Sequence, residues 1–259
     1  MSTDDTGAGS PSGASPALDV EPHPHTTTVA EATGLRVATR RIAAAPSASP
    51  RTWFGRVLDT PFGPRVLFGD VSGDPLCAPD LTADVVAAFA AAAPDVPELP
   101  DVAHRIAMSL REDHLRGHRS MVRLLLIGHV EEAAGTGSLA LVNRGYPAPL
   151  LVVGRQVLGL EPAFTTPPIG ALTPGSLRPT ELIVAAGGGE RVLLYTDDLA
   201  EAYDAAGERY PVARRAPDRL HGAFVDALER LAVDIEAHVD ASFAGDAALF
   251  LLEAERAGG

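Results

Sequence analysis

Three acids stand at the edges of apolar runs. Asp70 closes RVLFG, Asp197 follows RVLLYT, and Asp246 opens AALFLL. An acid in such a place is either a turn former or one of several carboxylates converging where strands end. Converging carboxylates suit Mg²⁺ or Mn²⁺, because hard divalent cations take oxygen ligands and keep several waters. Such ions polarise a phosphoryl oxygen and turn a bound water into a nucleophile. Asp74 and Asp198 lie close behind two of these acids, as supporting groups or as loop charge.

No nucleophile competes with a metal-activated water. Ser72 sits in DVSGD, which is not the GxSxG elbow of an α/β-hydrolase. Cys77, between Leu76 and Ala78, has no neighbouring histidine and reads as a buried structural thiol. His129, in LIGHV, reads as a strand-end partner, and His104, His114 and His118 as surface residues. The triple glycine at 187–189 joins two strand candidates instead of opening a helix, so it is no phosphate loop.

The elements that must position the acids follow from periodicity. Residues 52–69 predict a hairpin turning at Pro61, Gly63 and Pro64, with Asp70 at the end of its second strand. Residues 78–93 predict a helix with Leu81, Val85, Val86 and Phe89 on one face and Asp80 as its N-cap, and a second helix is expected from Asp101 to about Leu115. MVRLLLIGHV, SLALVN and PLLVVG, continued by RQVLGL, predict an antiparallel meander. Strands ELIVAA and RVLLYT follow, then a long amphipathic segment from about Pro217 to Val239 and a last strand, DAALFLLE. Helices do not alternate with strands throughout, so a doubly wound parallel sheet is excluded and an α+β layered domain is expected.

Residues 1–33 are rich in Ser, Thr, Pro and Gly and are expected to form a disordered tail, His23 and His25 included, with one domain over 34–255. The 259 residues carry 21 basic and 34 acidic side chains, a formal charge of −13. That balance argues against a nucleic-acid surface. A single cysteine excludes an intrachain disulfide framework and a thiolate zinc cluster, and fits a reducing compartment. No apolar stretch reaches membrane-span length, and the acidic opening MSTDDTGAGSPSG is no signal peptide, so a cytoplasmic protein is expected. No sensor module is recognisable before residue 50, so any input signal is expected from a separate polypeptide.

Five blocks in order, GDVSG, NRGYPAPLLVV, PPIGA, ERVLLYTDDLAEAYDAAGERY and GDAALFLLE, resemble the bacterial PPM-type (PP2C-like) serine/threonine phosphatases of the SpoIIE and RsbU group. The resemblance covers about residues 50–253. It implies a four-layer α-β-β-α sandwich with two central antiparallel sheets flanked by helices and a dimetal Mn²⁺ or Mg²⁺ site at one edge. It also implies hydrolysis of phosphoserine or phosphothreonine, with a phosphoprotein or an anti-anti-sigma-type regulator as partner. By the same resemblance Asp70 bridges the metals, Val71 lends its backbone carbonyl, and Asp197 is the aspartate of the TDG block.

The departures from the family pattern bear on activity. The family's first metal-binding aspartate is matched by Thr52 or a neighbour in PRTWFG, beside Trp53 and Phe54. The first acid of the C-terminal pair aligns with Gly245, leaving Asp246, whose side chain falls on the wrong side of the strand if the register holds. Asp59 lies too far along the hairpin to substitute. Asp74-Pro75-Leu76 stands for GHG, Arg144-Gly145-Tyr146 for AGH, and Asp198 for the glycine of TDG. Two of four carboxylate ligands are therefore missing, and the expectation is a weak or inactive phosphatase-like domain whose metals are lost or reduced to one. The alternatives are an active Mn²⁺- or Mg²⁺-dependent protein phosphatase and a domain retained for structure alone.

Overall fold

The computed structural model describes residues 17–23, 25–42, 52–110, 120–131, 137–162, 164–171, 178–185, 189–239 and 247–254. The strands are β1 Leu18–Asp19, β2 Thr28–Ala32, β3 Leu35–Ile42, β4 Thr52–Thr60, β5 Gly63–Ser72, β6 Met121–Glu131, β7 Gly137–Arg144, β8 Leu150–Val153, β9 Gln156–Gly159, β10 Glu181–Ala185, β11 Arg191–Tyr195 and β12 Ala247–Ala254. The helices are α1 Ala78–Ala92, α2 Leu99–Ser109, α3 Asp197–Ala200, α4 Val212–Arg219 and α5 Phe224–His238.

Two antiparallel six-stranded sheets form the centre, in the orders β1-β4-β5-β6-β7-β10 and β2-β3-β12-β11-β8-β9. Alternation along the strands separates three cores. On β5, Val66 and Phe68 face the second sheet and pack with Leu125, Ile127, Val192 and Phe250. Leu67 and Val71 face the other way, onto Leu81, Val85 and Phe89 of α1 and Val102 and Ile106 of α2. Beyond the second sheet, Leu249 and Leu251 pack against Phe224, Leu228, Leu231 and Ile235 of α5. This is the expected α-β-β-α layering. Burying a side chain such as Phe89 or Leu231 contributes roughly 1.5–3 kcal/mol, so each layer depends on both of its faces.

Helix α1 forms because Leu81, Val85, Phe89 and Ala92 recur at helical spacing on its buried face. Its N-cap is Cys77, not Asp80, because the preceding turn already accepts bonds from the Cys77 and Ala78 amides at the Asp74 carbonyl. Beyond its C-terminus the buried Arg65 donates Nη1–H to the Ala93 carbonyl at 2.8 Å and also bonds the carbonyls of Val96 and Pro97.

Four further expectations need correction. The ordered chain starts before residue 34: β1 pairs with β4 through Leu18 opposite Val57, and β2 pairs with β3. Polar residues on these short outer strands hide their signal. The meander is divided, with β6 and β7 in the first sheet and β8 and β9 in the second. Pro147 and Pro149 in the NRGYPAP connection lack the amide donors that a continued ladder needs. The segment from 217 to 239 is two helices, parted at Gly222, whose φ of 72° a β-carbon would oppose. Helix α2 begins at Leu99 and ends at Ser109; residues 111–119, with His114 and His118, lie outside the described residues.

Candidate functional site

The site lies near the ends of β5, β6 and β11, on the face of the first sheet that looks toward the second. Asp70 is fully buried on β5, two residues before the strand ends at Ser72. Its cross-strand neighbours are Trp53 on β4 and Arg123 on β6. In an antiparallel sheet directly paired residues share a face, so all three side chains crowd one side. Thr52 pairs with Val71 and therefore points to the opposite face. The position across from Asp70 is thus held by an indole, stacked on Phe68 with ring centroids 5.8 Å apart.

Asp197 stands where β11 gives way to α3, with Thr196 as N-cap and a half-exposed side chain. The buried Thr196 hydroxyl oxygen accepts the Ala248 amide at 3.2 Å, pinning this corner to the start of β12. The Tyr195 phenol next to it is pushed above its ordinary pKa, first by burial and then by the Asp197 charge.

Arg123 joins the two acids. Its Nη1 lies 3.5 Å from Asp70 Oδ2 and its Nη2 lies 3.8 Å from Asp197 Oδ2. Among the described residues Nη1 makes no hydrogen bond, so its contact with Asp70 is one of charge and not of aligned donor and acceptor. Tyr146 supplies such a bond, donating its hydroxyl to Asp70 Oδ1 at 2.5 Å. The turn that carries Tyr146 is shaped locally: Asn143 accepts the Tyr146 amide at Oδ1 and donates Nδ2–H to the Tyr146 carbonyl, both at 3.0 Å. Gly145 takes φ 93°, and a β-carbon there would lie 2.5 Å from the Pro168 ring and 3.3 Å from Arg123 Cγ.

The other expected site residues are placed as follows. Val71 has its side chain in the core against α1 and its backbone paired with both Thr52 and Val122. Asp246 and Gly245 lie outside the described residues, as do residues 1–16. Asp74 is a turn former, accepting the Leu76 amide at 2.9 Å. Asp59 pairs with Pro64 at the far end of the hairpin. Cys77 is half-buried, and partial desolvation, then Asp74 and Asp80, push its thiol pKa up, away from nucleophilic use.

Two arginines carry weight that the sequence reading did not give them, Arg123, which it passed over, and Arg144, which it named only as a departure from AGH. Arg123 had no local signal: it is a lone cation in MVRLLLIGHV, and Val122, Leu124 and Leu126 on one face and Leu125 and Ile127 on the other are equally apolar. Arg144 is almost completely buried on the opposite face of its sheet, paired with Leu124, and its Nε donates to the Pro167 carbonyl at 3.3 Å. Burial holds its pKa below the ordinary arginine value.

A dimetal centre needs several oxygen ligands on one point. Among the described residues no group of three or more His, Cys, Asp and Glu side chains converges so, and a guanidinium contacts both acids of this site. That set does not fit a divalent cation.

The two sandwiched sheets and their flanking helices define the PPM phosphatase fold, an α+β architecture. Residues 63–255 match the family model "Stage II sporulation protein E (SpoIIE)", and the chain belongs to that family. Its structure resembles the PP2C phosphatase domain and regulatory fragment of the cell fate determinant SpoIIE from Bacillus subtilis, with a TM-score of 0.65, 13% identity, and coverage of 90% of this chain and 66% of that one. It also resembles the RsbU and RsbW domains of Rv1364c from Mycobacterium tuberculosis, with a TM-score of 0.60, 17% identity, and coverage of 87% and 63%. The catalytic domain of the serine/threonine phosphatase PstP, in complex with two manganese ions, gives a TM-score of 0.58 at 13% identity, with coverage of 85% and 97%. The chain thus spans under two thirds of the Rv1364c fragment's length. No curated protein sequence matches the chain. Among the described residues no helix is long and apolar enough to cross a membrane.

Proposed function

We propose that this chain is a PPM-type protein serine/threonine phosphatase-like domain of bacterial stress or sigma-factor signalling, weak or inactive as a hydrolase. One observation carries the reading: the β4–β5 register puts Trp53 across from Asp70 and turns Thr52 to the other face, so β4 offers this acid no carboxylate partner. Of the expected metal set Asp70, Val71, Asp197 and Asp246, the two carboxylates in the described residues share an arginine. Without enough ligands the fold has no means to hold and deprotonate an attacking water.

The domain's use is then recognition of a protein partner, a phosphoprotein or an anti-anti-sigma-type regulator. The combination of RsbU and RsbW domains in Rv1364c supports a signalling setting. Asp70, Asp197 and Arg123 sum to a formal charge of −1, which does not attract a phosphoryl dianion. Recognition of a phosphoprotein therefore rests on the polypeptide around the phosphate. The test is turnover of para-nitrophenyl phosphate and of a phosphoserine peptide, with and without Mn²⁺, in wild type and Asp70→Asn. The expected result is no Mn²⁺-dependent turnover in either; Mn²⁺-dependent turnover that Asp70→Asn abolishes overturns the reading.

A further inference from the structure

A fully buried carboxylate needs a countercharge as well as hydrogen bonds, since an uncompensated ion is held out of water at great cost. Tyr146 gives Asp70 a proton donor but no charge. Among the described residues a cationic side chain placed against Asp70 is Arg123, its direct cross-strand partner, itself only 15% exposed. From one guanidinium the same residue reaches Asp197 on the other sheet. The planar fork makes this possible, because its two terminal nitrogens diverge and address two acids at once.

We propose that Arg123 is the resident cation of this site: its guanidinium stands where the family resemblance implies divalent ions, and it closes the Asp70–Asp197 pair to Mn²⁺ and Mg²⁺. The proposal rests on the reading of the chain as a phosphatase-like domain and adds the physical cause of its cation independence. Missing ligands alone would leave two acids still able to attract a metal weakly. Arg123 removes that residual attraction twice over. It neutralises part of the acids' charge, and it confronts an incoming cation with a like charge at contact range in a partly dry corner. It also links the two sheets without a metal, through β6 of the first and the β11–α3 junction of the second.

Arg123→Met separates charge from packing, because it keeps an unbranched stem beside Gly145, where Arg123 Cγ now packs. Mn²⁺ binding is followed by calorimetry and by electron paramagnetic resonance of the free ion, with the Tm measured in millimolar Mn²⁺ or in EDTA. Wild type is expected to bind no Mn²⁺ in the millimolar range and to keep one Tm in both solutions. Arg123→Met is expected to bind at least about tenfold more tightly and to gain Tm on adding Mn²⁺, as binding to the native state alone requires. That gain disappears in Arg123→Met/Asp70→Asn.

Two results overturn the proposal. One is wild-type Mn²⁺ binding that Asp70→Asn or Asp197→Asn removes, a result that does not depend on how Arg123→Met folds. The other is a folded Arg123→Met that gains no affinity. Failure of the functional reading looks different. Mn²⁺ binding at Asp70 without turnover sinks only the resident-cation proposal, whereas turnover of phosphopeptide indifferent to Mn²⁺ sinks only the weak-hydrolase reading.

Discussion

Tyr146 donates its hydroxyl to Asp70 at 2.5 Å from a turn in which its own amide and carbonyl are both held by Asn143. The bond spans the connection by which the chain leaves the first sheet for the second, and it ends on a carboxylate with no solvent exposure. Deleting one partner of a buried pair costs more than the pair contributes, because the other keeps its desolvation penalty. Tyr146→Phe is therefore expected to lower stability by about 1–3 kcal/mol, seen as a reduced urea midpoint with unchanged slope. Adding Asp70→Asn changes the acceptor, and the double-mutant cycle should show a coupling energy well above zero. Additive single effects would mean that the hydroxyl and the carboxylate are energetically independent.

Gly145 sets the reach of that tyrosine. A side chain here meets the Pro168 ring and must also adopt φ 93°. Gly145→Ala is expected to destabilise by roughly 1–3 kcal/mol, combining backbone strain with overpacking. Because Tyr146 follows directly, the substitution should also weaken the bond to Asp70. The check is the Tyr146→Phe penalty in the Gly145→Ala background, expected to shrink to less than half of its wild-type size.

How much of this was legible in the sequence depends on the range of the interaction that decides it. The hairpin of β4 and β5, the apolar face of α1 and the buried strands β6, β11 and β12 are local patterns, and each lies within a few residues of its expected place. The strands within residues 18–32 were missed because their pairing with β4 and β3 is tertiary and their residues are mixed in polarity. The division of the expected meander between two sheets was not legible for a related reason: which strand β8 pairs with is settled by β11, far along the chain, and not by its neighbour β7. At the site, the acids Asp70 and Asp197 were legible from their places at strand ends. Arg123 was not, because a single arginine in an apolar strand reads as an edge charge until the β5–β6 register puts it against Asp70.

Arg65 ties the end of α1 to the first sheet. Its guanidinium is buried and bonds three carbonyls that follow the helix, those of Ala93, Val96 and Pro97, while its face lies 4.8 Å from the Phe62 ring centroid. Burial lowers its pKa and the nearby Glu181 and Glu98 act against that shift. Arg65→Met keeps the stem but leaves the carbonyls of the buried Ala93 and Val96 without this donor. The expected cost is roughly 2–3 kcal/mol. Hydrogen exchange should localise the loss, with α1 amides exchanging faster than those of α5, since the two helices pack on different sheets. Equal acceleration in both helices would show that the layers open as one unit.

Asp234 gives the fold an acid-sensitive joint on its other face. Burial by itself would raise its pKa, but bonds from Arg219, Tyr210 and Arg215 outweigh burial and bring it from 3.8 to about 2. Arg219 and Arg215 lie 2.9 and 3.0 Å away, and the Tyr210 hydroxyl donates at 2.6 Å. These contacts join α4 and the segment before it to α5. Since the folded value lies below the unfolded one, the native state binds this proton less readily than the unfolded chain. The contribution is complete above about pH 4 and is lost as pH falls through 2. Its arginine partners are partly exposed, so screening reduces it to on the order of 1 kcal/mol. Asp234→Asn should remove that slope: urea midpoints of wild type and variant, measured in steps from pH 5 to pH 2, converge at the acid end. A difference that stays constant over the whole range would assign the cluster's effect to packing instead of charge.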